Sequence, residues 1–383
     1  MTNNQITYKR LGDYIREVNV RNRELKVTQL LGLSMTKQFR PSTSNIVGVD
    51  LSNYKIVNHN TFAFDPMSVI RVHKVPIAIN NTTTPIIVSP AYYTFEVSDT
   101  SKLLPQYLMM WIMRPEFDRY ADYKSDSAVR GGYDWKELCD TPICVPSIER
   151  QREIVSEYET LTRRIRLNNQ MIEKLEATAQ ALYHKTFVAG IDKQNLPDGW
   201  RMGTFTEIAR LSGGGTPDTN NGEYWGGDIP FFTPADSTKI YCIKTDKMLT
   251  ELGFDNCSSK LYKKNTTFVT ARGTVGEVSL AGCNMAMNQS CYAMLPKNCD
   301  APLFIHQFAI NIVNKLKEEA VGAVFNALVT KDFETTEVIV PPINKMIEYN
   351  SYVESVYGMA LIIQQENAKL TELQSLLLAK MGQ

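Results

Sequence analysis

Residues 134–154 read DWKELCDTPICVPSIERQREI, and residues 329–349 read VTKDFETTEVIVPPINKMIEY. One shift aligns them throughout: Trp135 falls on Thr330, Leu138 on Phe333, Ile143 on Val338 and Pro146 on Pro341. Other matches keep the same order. LGDYI (11–15) matches FTEIA (205–209), SPAYYTFEV (89–97) matches NQSCYAML (288–295), and LPQYLMMWI (104–112) matches APLFIHQFA (301–309). An ordered set at nearly constant offset is an internal duplication, so one structural plan must be built twice. Each half opens with a mixed globular segment, reaches a short apolar strand ending at proline (ICVP or VIVP), and continues into a long helix. GIDKQNLPDGW (190–200) has the Gly, Pro and Asp of a linker. The expected layout is a mixed segment over 1–147, a helix over 148–189, a second mixed segment over 190–341 and a second helix over 342–383.

The first helix is read from about Ile148 to Phe187. Its apolar positions Ile154, Tyr158, Leu161, Ile165, Ile172, Leu175, Ala179 and Leu182 step by fours and threes, with Asn168 in the middle slot. The second helix gives Val353, Val356, Ala360, Ile363, Leu370, Leu377 and Met381, with Asn367 and Gln374 in slots. Both are heptad seams, and two seams in one chain predict an antiparallel coiled coil. With Asn168 opposite Asn367, Ile165 faces Leu370, Ile172 faces Ile363, Tyr158 faces Leu377 and Leu182 faces Val353. The duplication requires the same register, because exchanging the halves maps Asn168–Asn367 onto Ile363–Ile172. The competing arrangement packs each helix separately on its own segment. At ~1.5 Å rise per residue, a seam from Ile154 to Leu182 is about 40 Å long, close to one turn of B-DNA. Leu167, Met171, Tyr183 and Phe187 on the first helix, and Leu361, Leu373 and Leu376 on the second, lie off the seam. They fit an outer face for partners, or contacts with the adjoining segments.

Composition narrows the class. The chain has 383 residues, 43% of them hydrophobic and 21% charged, which fits a globular protein with more than one core. No run reaches the length of a membrane span, and MTNNQITYKRLGD has no secretory signal, so the cytoplasm is the expected location. The seven cysteines include no CxxC pair and the four histidines are scattered, so reduced thiols and no metal site are expected. Formal net charge is zero, which weighs mildly against nucleic-acid binding. The mean hides basic clusters. Lys9, Arg10, Arg16, Arg21, Arg23, Lys26, Lys37 and Arg40 form one; Lys239, Lys244, Lys247, Lys260, Lys263 and Lys264 form another. A solvated face has the same composition.

The chain carries no recognisable catalytic motif. An adenine methyltransferase needs a pocket for the flipped base, usually (Asn/Asp)-Pro-Pro-(Tyr/Phe). Pro341-Pro342 is preceded by Val340 and followed by Ile343. There is no GxGxxG after a strand and no GxxxxGK(S/T), so no cofactor loop or motor of those kinds is encoded. Glu24-Leu25-Lys26 has nuclease-like local spacing but no upstream acidic partner, and no Ser/His/Asp order stands out.

SGGGTPDTNNGEYWGGDIPFFTPAD (212–236), ARGTVGEVSLAG (271–282) and MNQSCYAML (287–295) resemble a target-recognition domain of the specificity (S) subunit of type I restriction–modification systems. PSIERQREIV (146–155) and NQMIEKLEATAQALYHKTF (169–187) are similar to that family's first spacer helix. The resemblance covers essentially the whole chain and implies an α+β fold: two mixed recognition domains in pseudo-twofold repeat, joined by two long helices in an antiparallel coiled coil. It implies a non-catalytic subunit, without a cofactor of its own, that binds bipartite double-stranded DNA. The implied partners are two modification (methyltransferase) subunits, which use S-adenosylmethionine, and restriction/translocase subunits, which use ATP; no membrane is involved. The first half departs from the pattern, with FAFDPMSVIRVHK (62–74) and SDSAVRGGYDWKEL (125–138) in place of SGGxTP. The second helix lacks a counterpart of Gln151, which puts that residue's contacts in question there.

Base readout needs Arg, Lys, Asn or Gln at groove edges, and hydroxyls or backbone groups on phosphates. TTFVTARGTVGEVSL (266–280) reads as strand, tight turn, strand, with Arg272 and Thr274 at the tip. Asn288 and Gln289 precede a strand, where turn-capping competes with adenine contact. The first half offers Arg130 with Tyr133, and Arg71 with Lys74. Thr216 and Trp225 complete the candidate set. The stretch 212–232 packs six glycines and no Lys or Arg. TFTE (204–207) before it is a capping box, so a short helix is expected to end near Leu211 with Gly213 or Gly214 as its cap. A phosphate loop would place its glycines before a helix instead. Two other classes fit less of this: a duplicated coiled-coil scaffold that assembles partners without reading DNA, and an enzyme with duplicated domains.

Overall fold

The computed structural model describes residues 8–42, 48–126, 132–237, 240–319 and 327–382. The chain forms two compact units, residues 1–164 with 370–383, and residues 165–369. The architecture is α+β, and each long helix contributes to both units.

The first unit contains strands β1 Tyr8–Arg10, β2 Ile15–Glu17, β3 Leu31–Leu33, β4 Phe39–Pro41, β5 Lys55–Val57, β6 Phe62–Phe64, β7 Ile77–Ile79, β8 Ile86–Val88, β9 Tyr93–Val97 and β10 Pro142–Cys144. Its helices are α1 Val69–Val72, α2 Pro105–Met113, α3 Pro115–Asp126 and α4 Trp135–Asp140, followed by the start of the long α5, Ile148–Phe187. The main sheet is antiparallel in the order β2-β9-β6-β7. Alternation along β6 and β9 stacks Phe62 on Phe95 at 4.8 Å, and this core reaches Ile154 and Val155 of α5.

The second unit contains β11 Arg201–Thr204, β12 Ala209–Gly213, β13 Trp225–Phe232, β14 Tyr241–Cys242, β15 Lys247–Leu249, β16 Thr267–Thr270, β17 Val278–Ala281, β18 Ala286–Met287, β19 Cys291–Pro296 and β20 Glu337–Val340. Its helices are α6 Phe205–Ile208, α7 Glu251–Asp255, α8 Pro302–Glu319 and α9 Thr330–Glu334, before the long α10, Ile343–Lys380. One sheet runs β12-β19-β16-β17-β14 and a smaller one β15-β13-β18.

The duplication is visible bond by bond within each unit. The first strand pairs with the last: β1 with β10, and β11 with β20. The residue opening the next short helix bonds a threonine carbonyl, Leu11 N to Thr141 O at 2.9 Å and Phe205 N to Thr336 O at 3.3 Å. Those threonines cap the preceding helix alike, Thr141 Oγ1 donating to Glu137 O at 3.0 Å and Thr336 Oγ1 to Asp332 O at 2.6 Å. The order β2-β9-β6-β7 recurs as β12-β19-β16-β17.

Gln151 is fully buried; its Oε1 accepts Leu104 N at 2.9 Å and its Nε2 donates to the carbonyls of Lys102 and Pro146. In the second unit Asn350 does the matching work, its Oδ1 accepting Leu303 N at 2.8 Å at the start of α8. The partner missing by alignment is supplied one helical turn later. Both residues satisfy an amide freed at a helix start.

Ser147 caps α5, its Oγ accepting Arg150 N at 3.3 Å, and Gly190 ends the segment with φ of 72°. No glycine or proline interrupts the helix between them. Within the second unit α5 and α10 run antiparallel: Asn168 meets Asn367, and further along Tyr349 Oη donates to Ala179 O at 2.9 Å. Asn168 Nδ2 donates to Asn367 Oδ1 and to Glu366 Oε2, both at 2.9 Å, and Asn367 Nδ2 donates to Asn169 Oδ1 at 2.9 Å. Ile172, Ile363 and Val353 share the surrounding core, and Leu182 packs against that core. Within the first unit Gln374 Nε2 reaches Thr162 Oγ1 at 2.7 Å, and Tyr158 and Leu377 pack on one core. Ile165 belongs to the second unit and Leu370 to the first.

Two expectations are corrected, on the helix after TFTE and on Tyr133, and one open alternative, on the off-seam residues, is decided. The helix after TFTE is the single turn of α6; the chain then extends as β12, so Gly213 ends a strand and caps no helix. Tyr183, Phe187 and Leu361 are buried in the second unit's core: Phe187 meets Phe304 edge-on at 5.0 Å, and Tyr183 meets Tyr349 edge-on at 5.8 Å. The off-seam residues Leu167, Met171, Leu373 and Leu376 are exposed. Tyr133 is fully buried, so it is a core residue and not a surface contact.

Candidate nucleic-acid interface

In the second unit the β16–β17 connection, residues 271–277, is a tight turn. Gly273 and Gly276 take φ of 82° and 78°, which other residues rarely adopt. Thr270 Oγ1 accepts Glu277 N at 2.9 Å and donates to Thr274 O, closing the loop from inside. This leaves Arg272 exposed, and Thr274 exposed beside it with its hydroxyl 3.4 Å from Pro234 O. The backbone amides of Ala271 and Arg272 both bond Ser290 O, at 2.8 and 3.2 Å, which ties the tip to the turn over 288–290.

That turn holds two more candidates. Asn288 Oδ1 accepts Ser290 N at 3.0 Å, so this oxygen caps its own turn. Gln289 is exposed, and its Oε1 accepts the hydroxyl of Thr216. Arg272, Thr274, Asn288, Gln289 and Thr216 therefore gather at one end of the five-stranded sheet. Trp225 stands apart in the small sheet. Its Nε1 donates to Asp218 O at 3.2 Å, its ring meets Phe231 edge-on at 5.5 Å, and Lys247 Nζ lies 5.4 Å over it. Half-buried and with its one donor engaged, Trp225 supports its own loop.

The glycine-rich stretch has a backbone explanation. Gly214 lies against the neighbouring chain so closely that a Cβ would sit 2.1 Å from Asn288 O and 2.3 Å from Met287 O. Gly215 N bonds Met287 O at 3.0 Å. The glycines thus let residues 213–216 press onto 287–289 and hold Thr216 at Gln289.

The first unit's equivalent connection is the longer β6–β7 loop, residues 65–76. Asp65 organises it, accepting Met67 N at 2.9 Å and Ser68 Oγ at 2.6 Å. The single-turn α1 ends at His73, whose φ is 53° and whose Nδ1 lies 2.9 Å from Asp122 Oδ1. Arg71 and Lys74 are both exposed here. The structure thus sets Arg71/Lys74 and Arg272/Thr274 on the same topological connection in the two units, which the sequence alignment did not pair. The loop's inner edge is anchored alike: Tyr133 N bonds Pro66 O at 3.3 Å, and Leu328 N bonds Ala271 O at 2.9 Å. Tyr133's hydroxyl is spent on Thr141 Oγ1. Arg130 lies outside the described residues. Met67, 73% exposed, stands on this same connection; a lone methionine after Asp-Pro carries no sequence signal for it.

Among the described residues no cluster of three or more His, Cys, Asp or Glu could hold a metal ion, and no helix is long and apolar enough to cross a membrane. Burial raises the Cys242 and Cys291 thiols to about 12, so neither is a ready nucleophile.

A family model for the type I restriction modification DNA specificity domain matches residues 197–372. The chain is 29% identical over 155 residues to the MjaIX type I restriction enzyme specificity subunit of Methanocaldococcus jannaschii, covering 39% of this chain and 36% of that protein. It is 28% identical over 192 residues to the HindI specificity subunit of Haemophilus influenzae, covering 49% of this chain and 41% of that protein. The matches thus span less than half the length of either relative. The crystal structure of a type I restriction-modification S subunit from M. genitalium shares the fold, with a TM-score of 0.57 at 12% identity over 100% of this chain and 97% of that one. Residues 197–372 thus match a type I restriction modification DNA specificity domain, and the chain is similar to specificity subunits of type I restriction-modification systems in sequence over part of its length and in fold over its whole length.

Proposed function

We propose that this chain is the DNA sequence-specificity subunit of a type I restriction–modification complex. Residues 1–147 and 190–341 are the two target-recognition domains, and the helices over 148–189 and 342–383 are the spacers. Each domain binds one half of a bipartite double-stranded target. The observation that carries this is the repeated connection: β6–β7 and β16–β17 occupy the same place in each sheet, and both present exposed cations, Arg71 with Lys74 and Arg272. An arginine at a rigid turn is the residue type that reads guanine edges, and a lysine or hydroxyl suits a phosphate. Gln289 and Asn288 stand beside Arg272, and Thr216 holds Gln289 in place. The loops differ in length and sequence, as two domains with different half-sites require.

The chain works in the cytoplasm without catalysis or a cofactor of its own, and recruits two modification subunits and the restriction subunits. The exposed off-seam residues Leu373 and Leu376 suit that role: in the first unit they line, with the seam residues Leu161 and Leu377, an apolar groove of about 520 Å³. The test is a gel shift of the full chain assembled with the modification subunit of its own system, against duplexes with and without the target. Sequence-dependent retention that Arg272→Ala weakens at one half-site supports the proposal. Retention indifferent to sequence would favour the scaffold alternative.

A further inference from the structure

The five-stranded sheet of the second unit has two ends, fixed by register. Thr270 pairs with Cys291 and Gly213 with Tyr292 at the end that carries Arg272, Gln289 and Thr216. Thr267 pairs with Met294 and Arg210 with Leu295 at the other. A cavity of about 410 Å³ opens at that second end, with Arg210, Lys260, Lys263, Lys264, Tyr262 and Asp300 among its lining residues. All four cations are exposed, and no ion pair among the described residues engages them. One carboxylate faces four cations. The wall is rigid: Tyr262 is 3% exposed, and its hydroxyl lies 2.9 Å from both Ser212 Oγ and Gly213 O.

Charge on the same unit is distributed against expectation for the signature stretch. Residues 212–232 contain Asp218, Glu223 and Asp228 and no Lys or Arg. Neutralising phosphates there falls to few groups, whereas the cavity concentrates unpaired cations between apolar walls such as Leu295 and Pro296. Low-dielectric walls around like charges focus the field into the opening and favour an anion of high charge. A single carboxylate would leave most of this charge uncompensated; phosphate groups would not.

We propose that this cavity binds phosphate, supplied either by the DNA backbone or by a free nucleotide polyphosphate, at a site separate from the recognition turn. The DNA source rests on the specificity reading above; the free source does not. The variant is Lys263→Gln with Lys264→Gln, exposed positions whose change leaves the core intact. Two measurements use the full chain assembled with its modification subunits. The first is the salt dependence of target-DNA affinity, where each neutralised phosphate contributes a slope of about 0.9. The second is the melting temperature with inorganic tripolyphosphate against chloride at matched ionic strength. A slope smaller by about 1–2 in the variant assigns the DNA backbone. A melting-temperature rise in wild type that the variant loses assigns a free polyphosphate. An unchanged slope together with no tripolyphosphate shift overturns the site. A wild-type assembly without sequence-dependent DNA binding would instead sink the specificity reading, and the tripolyphosphate arm would still decide the cavity.

Discussion

Replacing Asn168 by leucine should loosen the helix pair, and replacing Asn168 and Asn367 together should largely restore it. The two side chains are 6% and 3% exposed and bonded to each other at 2.9 Å. Asn168→Leu deprives the buried Asn367 Oδ1 of this donor and also removes the bond to Glu366. Leaving a buried acceptor short of its donor costs about 1–3 kcal/mol. Replacing both partners by apolar groups of similar shape can be nearly neutral. Hydrogen exchange suits a protein with two units, because it reports local opening without assuming a single unfolding step. Amides over 165–175 should exchange roughly 5- to 150-fold faster in either single variant, the range that 1–3 kcal/mol sets. They should return to within a few-fold of wild type in the double variant, at some loss of register specificity. Single variants that exchange like wild type, or a double variant as fast as the product of the singles, would show that the asparagine pair does not hold the helices together.

His306 is buried with Nε2 unpartnered and Nδ1 2.9 Å from Tyr357 Oη, and burial pushes its pKa down to about 3. The folded-state value lies below the unfolded one near 6.5, so this stability is present above pH 6.5 and is lost as pH falls toward about 3, by up to ~1.4 kcal/mol per pH unit. Thermal melts against pH should show the second unit's acid slope reduced in His306→Phe; an unchanged slope contradicts this. In the first unit Lys37 Nζ pairs with Asp118 Oδ1 at 2.6 Å, their side chains 6% and 14% exposed. Asp118→Asn strands a buried ammonium and should destabilise that unit by about 3–5 kcal/mol, read by denaturant titration of its signal, with Lys37→Met added to recover most of the loss. Gly214→Ala should cost about 1–3 kcal/mol by overpacking, whereas Gly213→Ala, which meets nothing within 4 Å, should be tolerated; equal melting temperatures would remove the close-approach explanation.

The duplication, the long helices and the asparagine layer were legible because each is a periodic signal. Heptad spacing marks a seam without knowing its partner, and the repeat offset supplied the register. What escaped was decided at long range. Tyr183, Phe187 and Leu361 look like spare surface on a helical wheel, and only the position of α8 and its Phe304 shows that this face is covered. A glycine required by a close backbone approach, such as Gly214, is indistinguishable in sequence from one that caps a helix. Asn350 replaces Gln151 a turn later, where alignment does not look. The five candidates at the Arg272 turn come from separate stretches of chain that the sheet brings together. Trp225 and Tyr133 carry residue types that suit DNA contact, yet packing uses them for support.

Whether two domains of this chain read the two halves of one target is decided by mapping methylated bases across the host genome with and without the gene. The predicted result is a bipartite methylated motif that disappears on deletion, with one half relaxed in an Arg272→Ala strain and the other in an Arg71→Ala strain. No motif lost on deletion, or a continuous motif indifferent to both substitutions, would contradict it.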